Sequence, residues 1–216
     1  MSEPKQERAL RTRKAILVAA AEVIDESGYS GASISKIMNR AGVTQGGMYF
    51  HFKSKEALAQ AVMTSQQQAV SLPDGPDGLQ RLVDMSFQIA AELRTNVLFR
   101  AGVRLAVEQG EFGPNDDTAY REWAERFHGQ LVAAEGRGEL LPDLDLWEFA
   151  NVLVSAYTGT QLYSNASSGR ADLPERLVSM WRYLLPAVAT PQARAELTFG
   201  SQSTAPSVGR AAGGRC

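Results

Sequence analysis

At 216 residues, 44% of them hydrophobic, and with a net charge of −2, the chain can hold one large or two small domains with ample material for a buried core. Its single cysteine, Cys216, excludes an internal disulfide framework and any Cys-based zinc site, which fits a reducing cytoplasm. No apolar run approaches bilayer-spanning length and the N-terminus is polar and charged, so the protein is expected to stay inside the cell with no membrane partner.

Apolar residues recur at helical spacing almost throughout and no stretch sustains strand alternation, so the fold is expected to be all-α. The first helix is expected from about Glu7 to Ser27, with Ile16, Leu17, Ala20, Val23 and Ile24 as its stripe and Gly28 at the position that stops it. Residues 33–52, SISKIMNRAGVTQGGMYFHF, then read as two short helices around the turn Ala41-Gly42-Val43. Ser33 can cap the first, Ile34, Ile37 and Met38 share its inward face, Gly42 allows positive φ, and Thr44 offers a second N-cap oxygen. This is a helix-turn-helix and points to DNA; the alternative is a helical corner in an all-helical core. Gly46 and Gly47 keep the second helix small where it would meet a groove, at roughly 1 kcal/mol each against alanine, which DNA contact or packing would have to offset.

Charge supports the DNA reading. Residues 1–60 carry nine Lys or Arg against six Asp or Glu, and all five lysines lie at or before Lys55. Lys5, Arg8, Arg11, Arg13, Lys14, Lys36, Arg40, Lys53 and Lys55 could meet phosphates, although for any one of them a solvated helix face explains the charge as well.

Ser54 can cap a fourth helix that runs past Gln66 until SLPDGPDG at 71–78 breaks it. Helices are expected over 79–95 and 97–109, then from about Thr118 to Gly136, from Leu146 to about Ser164, and from Leu173 to about Val188. The last two are nearly uncharged. Trp147, Phe149, Val152, Leu153, Leu177, Met180, Trp181, Leu184 and Leu185 exceed what one helix pair can bury on itself, so a two-fold homodimer through these helices is expected. The alternative is that they complete a monomer's own core. The polar, small-residue end of the chain is expected to be disordered, which divides the sequence into 1–53, 54–198 and a tail at 199–216.

An N-terminal amphipathic helix, AGVTQGGMYFHF at 41–52 and SKEAL at 54–58 together resemble the TetR family of transcriptional repressors. RTNVLFRAGVRL at 94–105, YREWAERFHGQLVAA at 120–134 and GELLPDLD at 138–145 are similar to the γ-butyrolactone receptors of antibiotic-producing actinobacteria. The resemblance implies a helix-turn-helix DNA-binding domain, a larger helical ligand-binding and dimerisation domain, and a pseudo-palindromic double-stranded operator. It implies phosphate contacts from Thr44, Tyr49 and Lys55. Gln45 departs from the pattern: many such receptors have a lysine there, which can donate to guanine, whereas glutamine pairs bidentately with adenine.

The same resemblance places Trp123 over a lactone-type ligand and Gln66 beside it as a polar pocket residue; apart from it, Trp123 reads as core and Gln66 as solvent-exposed. Tyr157, Thr158 and Gln161 sit on an apolar helix where polar side chains need partners, so they could hydrogen-bond a ligand, each other or a dimer mate. Met85, Phe87, Leu98 and Leu153 are expected to set the room for an acyl chain. A ligand held between Gln66 and Trp123 would tilt the fourth helix and change the separation of the recognition helices. A repressor answering another ligand, such as an antibiotic or butenolide, and a DNA-binding protein without a ligand are the alternatives. The two histidines, His51 and His128, belong to no nucleophile, phosphate-loop or metal pattern, so neither an enzyme nor a cofactor or metal site is expected.

Overall fold

The computed structural model describes the backbone of residues 5–68, 75–111 and 116–200, with side chains at 6–65, 75–110 and 116–200. The expected tail from 201 onward and the breaker at 71–74 lie outside the described residues. The described residues are all-α: α1 (Lys5–Gly31), α2 (Ile34–Ala41), α3 (Gln45–His51), α4 (Lys55–Gln68), α5 (Leu79–Thr95), α6 (Val97–Val107), a short 3-10 turn (Gln109–Glu111), α7 (Thr118–Gly136), α8 (Leu146–Ser168), α9 (Leu173–Val188) and α10 (Pro191–Glu196).

The local signals explain most helix ends. Gly28, at φ 72, breaks α1 as expected, and one further helical turn follows it to Gly31. Glycine suits that φ, and a Cβ would also sit 2.7 Å from the Arg104 guanidinium, which would have to shift. Ser33 Oγ accepts from the Lys36 N–H, Gly42 closes α2 at φ 64, Thr44 Oγ1 accepts from the Gly47 N–H, and Ser54 Oγ accepts from the Ala57 N–H. α8 runs four residues beyond the expected Ser164, because Ser167 and Ser168 bond back to the Ser164 carbonyl before Gly169 closes the helix at φ 60. α10 was not expected; Thr190 caps it through the Ala193 N–H.

Two cores result. The first gathers Ile16, Leu17 and Ile24 of α1, Ile37 of α2, Met48 of α3, Leu58, Ala59 and Val62 of α4, and Ala101 and Leu105 of α6. The expected boundary at 53/54 therefore falls just before a helix that packs into the N-terminal core. The second core joins α5–α9 around Trp181, whose Nε1 donates to Ser86 Oγ at 2.9 Å.

One expectation needs correction. Leu153, Leu177, Met180, Trp181 and Leu185, expected at a dimer surface, are all buried in the protomer's own core, with Phe149 and Leu184 half-buried against it. α8 packs on both α7 and α9, which absorbs them. The apolar side chains left exposed on α8 and α9 are Trp147, Val152, Leu162, Tyr163 and Tyr183.

Candidate functional site

The helix-turn-helix presents a single exposed face. Thr44, Gln45, Gly46 and Tyr49 are all exposed along α3 while Met48, on the opposite side, is fully buried. Phe50 is 73% exposed beside them and meets His51 edge-on. Lys36 is exposed on α2 with its ammonium donating to the Gly31 carbonyl at 3.0 Å. Arg11 is exposed on α1, beside Lys14 and Arg40 along an open groove. Lys55 is half-buried, its ammonium 4.0 Å from the centre of the Tyr29 ring, so a phosphate would compete with a cation–π contact there.

Tyr29 ties this region together. Its hydroxyl donates to Glu56 at 3.0 Å; burial first, and that bond second, push the phenol up to about 12. A folded-state value above the ordinary 10 means that this group's stabilisation is full below pH 10 and is lost as pH rises toward 12. Tyr29→Phe is therefore expected to reduce the fall in urea midpoint between pH 9.5 and pH 11.5, measured against wild type; an unchanged slope would assign the alkaline limb to other groups.

The backbone at Tyr29 is also the anchor of α6. Arg104 donates to the Asp25 carbonyl at 2.7 Å and to Glu108 at 2.7 Å, and Glu108 accepts the Tyr29 N–H at 2.8 Å. Arg100 pairs with the Asp25 carboxylate at 2.9 Å. One helix face of α6 thus holds the end of α1 through charge-assisted hydrogen bonds, the strong kind.

An adjoining face of α6 closes a cavity. Phe99, Val103, Ala106 and Val107 of α6 line it together with Ile89 and Leu93 of α5, Tyr120, Trp123 and Phe127 of α7, and Val154, Tyr157, Thr158 and Gln161 of α8. Trp123 stands edge-to-face with Phe99 at 6.4 Å and tilted on Phe127 at 6.0 Å, with the Arg126 guanidinium over its ring. Trp123, expected over a ligand by resemblance, and Tyr157, Thr158 and Gln161, expected to bond a ligand, each other or a dimer mate, all line this cavity. For Gln66 the structure gives only its place on α4, its side chain lying outside the described residues. None of Met85, Phe87, Leu98 and Leu153 is in the lining: Met85 and Leu153 are buried in the second core, Phe87 packs against it, and Leu98 packs against the first. Ile89, Leu93, Phe99, Val103 and Phe127 supply apolar lining instead.

Two of the polar candidates are constrained. The Tyr157 hydroxyl donates to the Ser86 carbonyl at 3.2 Å, and burial pushes its phenol far above the usual range. Gln161, 2% exposed, accepts from Arg170, while its amide nitrogen has no partner. The cavity is small, about 60 Å³, against the ~300 Å³ at which ligand pockets usually begin. His128 is not at this site; it stacks on Trp147 at 4.0 Å. No helix among the described residues is long and apolar enough to cross a membrane.

Comparison with known proteins bears on both regions. The family described as Bacterial regulatory proteins, tetR family, matches residues 16–62, and Tetracyclin repressor-like, C-terminal domain, matches residues 77–190. The A-factor receptor protein of Streptomyces griseus is 44% identical over 189 residues, 87% of this chain and 67% of that protein. The crystal structure of full-length native TylP, a TetR regulator from Streptomyces fradiae, superposes with a TM-score of 0.75 at 42% identity, covering 91% of this chain and 88% of TylP. A crystal structure described as a gamma-butyrolactone receptor (ArpA-like protein) superposes with a TM-score of 0.72 at 31% identity, covering 87% and 93%.

Proposed function

The chain belongs to the TetR family of DNA-binding transcriptional regulators, and on that premise we propose that it is a cytoplasmic homodimeric repressor, released from a pseudo-palindromic operator by a γ-butyrolactone-type signal that controls antibiotic or other secondary-metabolism genes. The observation that carries this reading is the double role of α6. Val103 and Phe99 face the Trp123 cavity, while Arg104, one residue beyond Val103, grips the end of α1. A cavity that must enlarge to take a ligand displaces α6, and α6 packs on both α1 and α4. Release then follows from α6, whose movement α4, the helix that carries Gln66, would share through their packing. Because a ligand shifts the two states only by its differential affinity, lactone and operator antagonise each other reciprocally.

On the DNA side Thr44, Gln45, Gly46 and Tyr49 supply the contact face, with Arg11, Lys36 and Lys55 toward phosphates. Gly46 is informative because the protein itself has no use for a glycine there: its φ is not positive, and a Cβ would meet nothing within 4 Å. Gly46→Ala is expected to raise unfolding stability by about 0.5–1 kcal/mol through helix propensity while weakening operator binding several-fold, read by chemical denaturation and fluorescence anisotropy. A variant that gains stability and binds equally well would remove α3 from the groove at that position.

The test of the reading is operator anisotropy with and without a synthetic γ-butyrolactone. Loss of binding on adding lactone supports it. Retained binding leaves the repressor and redirects the ligand search to other classes, and absence of binding even at low salt overturns the operator assignment.

A further inference from the structure

Gln161 lies between two cavities. Beyond the apolar one, a polar cavity of about 330 Å³ is lined by Asp25, Arg104, Glu108, Gln161, Asn165 and Arg170, among others. Among the described residues, every charged side chain that lines it is in an ion pair except one. Asp25 is paired with Arg100, and Glu108 with Arg104 and the Tyr29 N–H. Arg170 has no carboxylate within ion-pair distance among the described residues, and its Nε and Nη2 reach only the Gln161 carbonyl oxygen, at 3.4 Å each. Burial is the largest influence on its charge and disfavours it, while the Asp25 carboxylate, itself paired with Arg100, acts in the opposite sense. The amide orientation of Gln161 is fixed, since turning it would aim its NH₂ at the guanidinium, so the unpartnered buried group is an N–H donor.

The backbone is arranged to deliver this arginine. Arg170 has φ 70, directly after Gly169 at φ 60, a conformation that disfavours side chains other than glycine. The turn is held by Asp172, which accepts from Ser164 at 2.6 Å, Ser168 at 2.7 Å and Arg176 at 2.7 Å; the two serines, then the arginine, hold its carboxyl down at about 2. A strained, anchored turn therefore carries a cation back to a buried amide that also lacks an acceptor.

We propose that Arg170 and Gln161 form a carboxylate subsite at the polar end of the Trp123 cavity, and that the ligand is an amphiphilic carboxylate, of which the ring-opened γ-hydroxy acid of a butyrolactone is one form. A carboxylate supplies two acceptors to a guanidinium fork and an amide N–H, and its alkyl body continues into the apolar cavity past Tyr157. This deepens the ligand reading above and rests on it.

The test compares two probes with one carbon skeleton, γ-decalactone and sodium 4-hydroxydecanoate, titrated calorimetrically into the full-length wild type and Arg170→Gln. The expected result is that the variant loses at least roughly tenfold more affinity for the hydroxy acid than for the lactone, the effect of one charge-assisted hydrogen bond. Should that variant not fold, Gln161→Glu answers the same question by giving Arg170 a carboxylate of its own, with the same selective loss expected. Equal losses for both probes, an unaffected hydroxy acid, or a wild type that takes the lactone and refuses the acid would overturn the subsite and leave the lactone reading standing. Failure of both probes to bind wild type would overturn the lactone reading and the subsite with it.

Discussion

Trp123→Ala is expected to leave operator affinity within about threefold of wild type while raising the lactone concentration needed for release by about a hundredfold. The indole forms a wall of the α5–α8 cavity, and an aromatic ring buries 150–250 Å² when fully enclosed, roughly half of it available to a ligand on one face. At about 25 cal/mol per Å² that half is worth ~2–3 kcal/mol, or some thirty- to a hundredfold in affinity. The protomer should lose ~1–3 kcal/mol of stability, because Trp123 is only half-buried and its neighbours Phe99 and Phe127 remain. Operator binding is spared because α3 is supported by a different core, built on Ile16, Ile37 and Met48. Anisotropy titrations with and without lactone read both quantities. Unchanged release would remove Trp123 from the ligand site, and weakened operator binding without ligand would make it part of the link through Phe99 to α6.

What the sequence made legible was what local chemistry decides. Ser33, Gly42, Thr44 and Ser54 cap or close their helices through bonds to residues within five positions, so the helix-turn-helix could be read without knowing what packs on it. The ends of α7 and α9 fell where expected, each at the limit of an apolar stripe. α10 is six residues long, too short for periodicity to register. The cavity was half legible: polar residues on an apolar helix exposed Tyr157, Thr158 and Gln161, but the apolar walls did not announce themselves. Leu93 lines the cavity and Leu153 fills the core, and nothing in either residue's neighbourhood separates the two roles. Arg170, behind a glycine in a polar turn, reads as a solvated arginine; its burial and its reach to Gln161 arise only when α8 and α9 are packed. The dimer surface was overcounted for the same reason, since hydrophobic character alone does not say which of two neighbours will cover a side chain.

Gly159→Trp is expected to turn the homodimer proposed above into a monomer and to weaken binding to a full operator by at least about a hundredfold. On α8 the outward stripe is Val152, Ser155, Gly159 and Tyr163, at helical spacings, and on the neighbouring α9 Tyr183 is 82% exposed. A Cβ at Gly159 would meet nothing within 4 Å, and its φ is not positive, so neither packing nor backbone within the protomer demands glycine. Mid-helix glycine costs about 0.5–1 kcal/mol against alanine, a loss that a close helix approach from a second copy would offset. An indole at that point would hold two α8 helices apart while leaving each protomer's helical content unchanged by circular dichroism. Light scattering reads the mass and anisotropy reads the affinity. The expected loss is large because a two-fold operator is bound by two linked recognition helices, and specific binding typically exceeds non-specific binding by at least about a thousandfold. A Gly159→Trp protein that remained dimeric would move the interface off this stripe. A monomer that bound the full operator with native affinity would mean that the two copies cooperate on the DNA alone, and release by a change in recognition-helix separation would then have no physical basis.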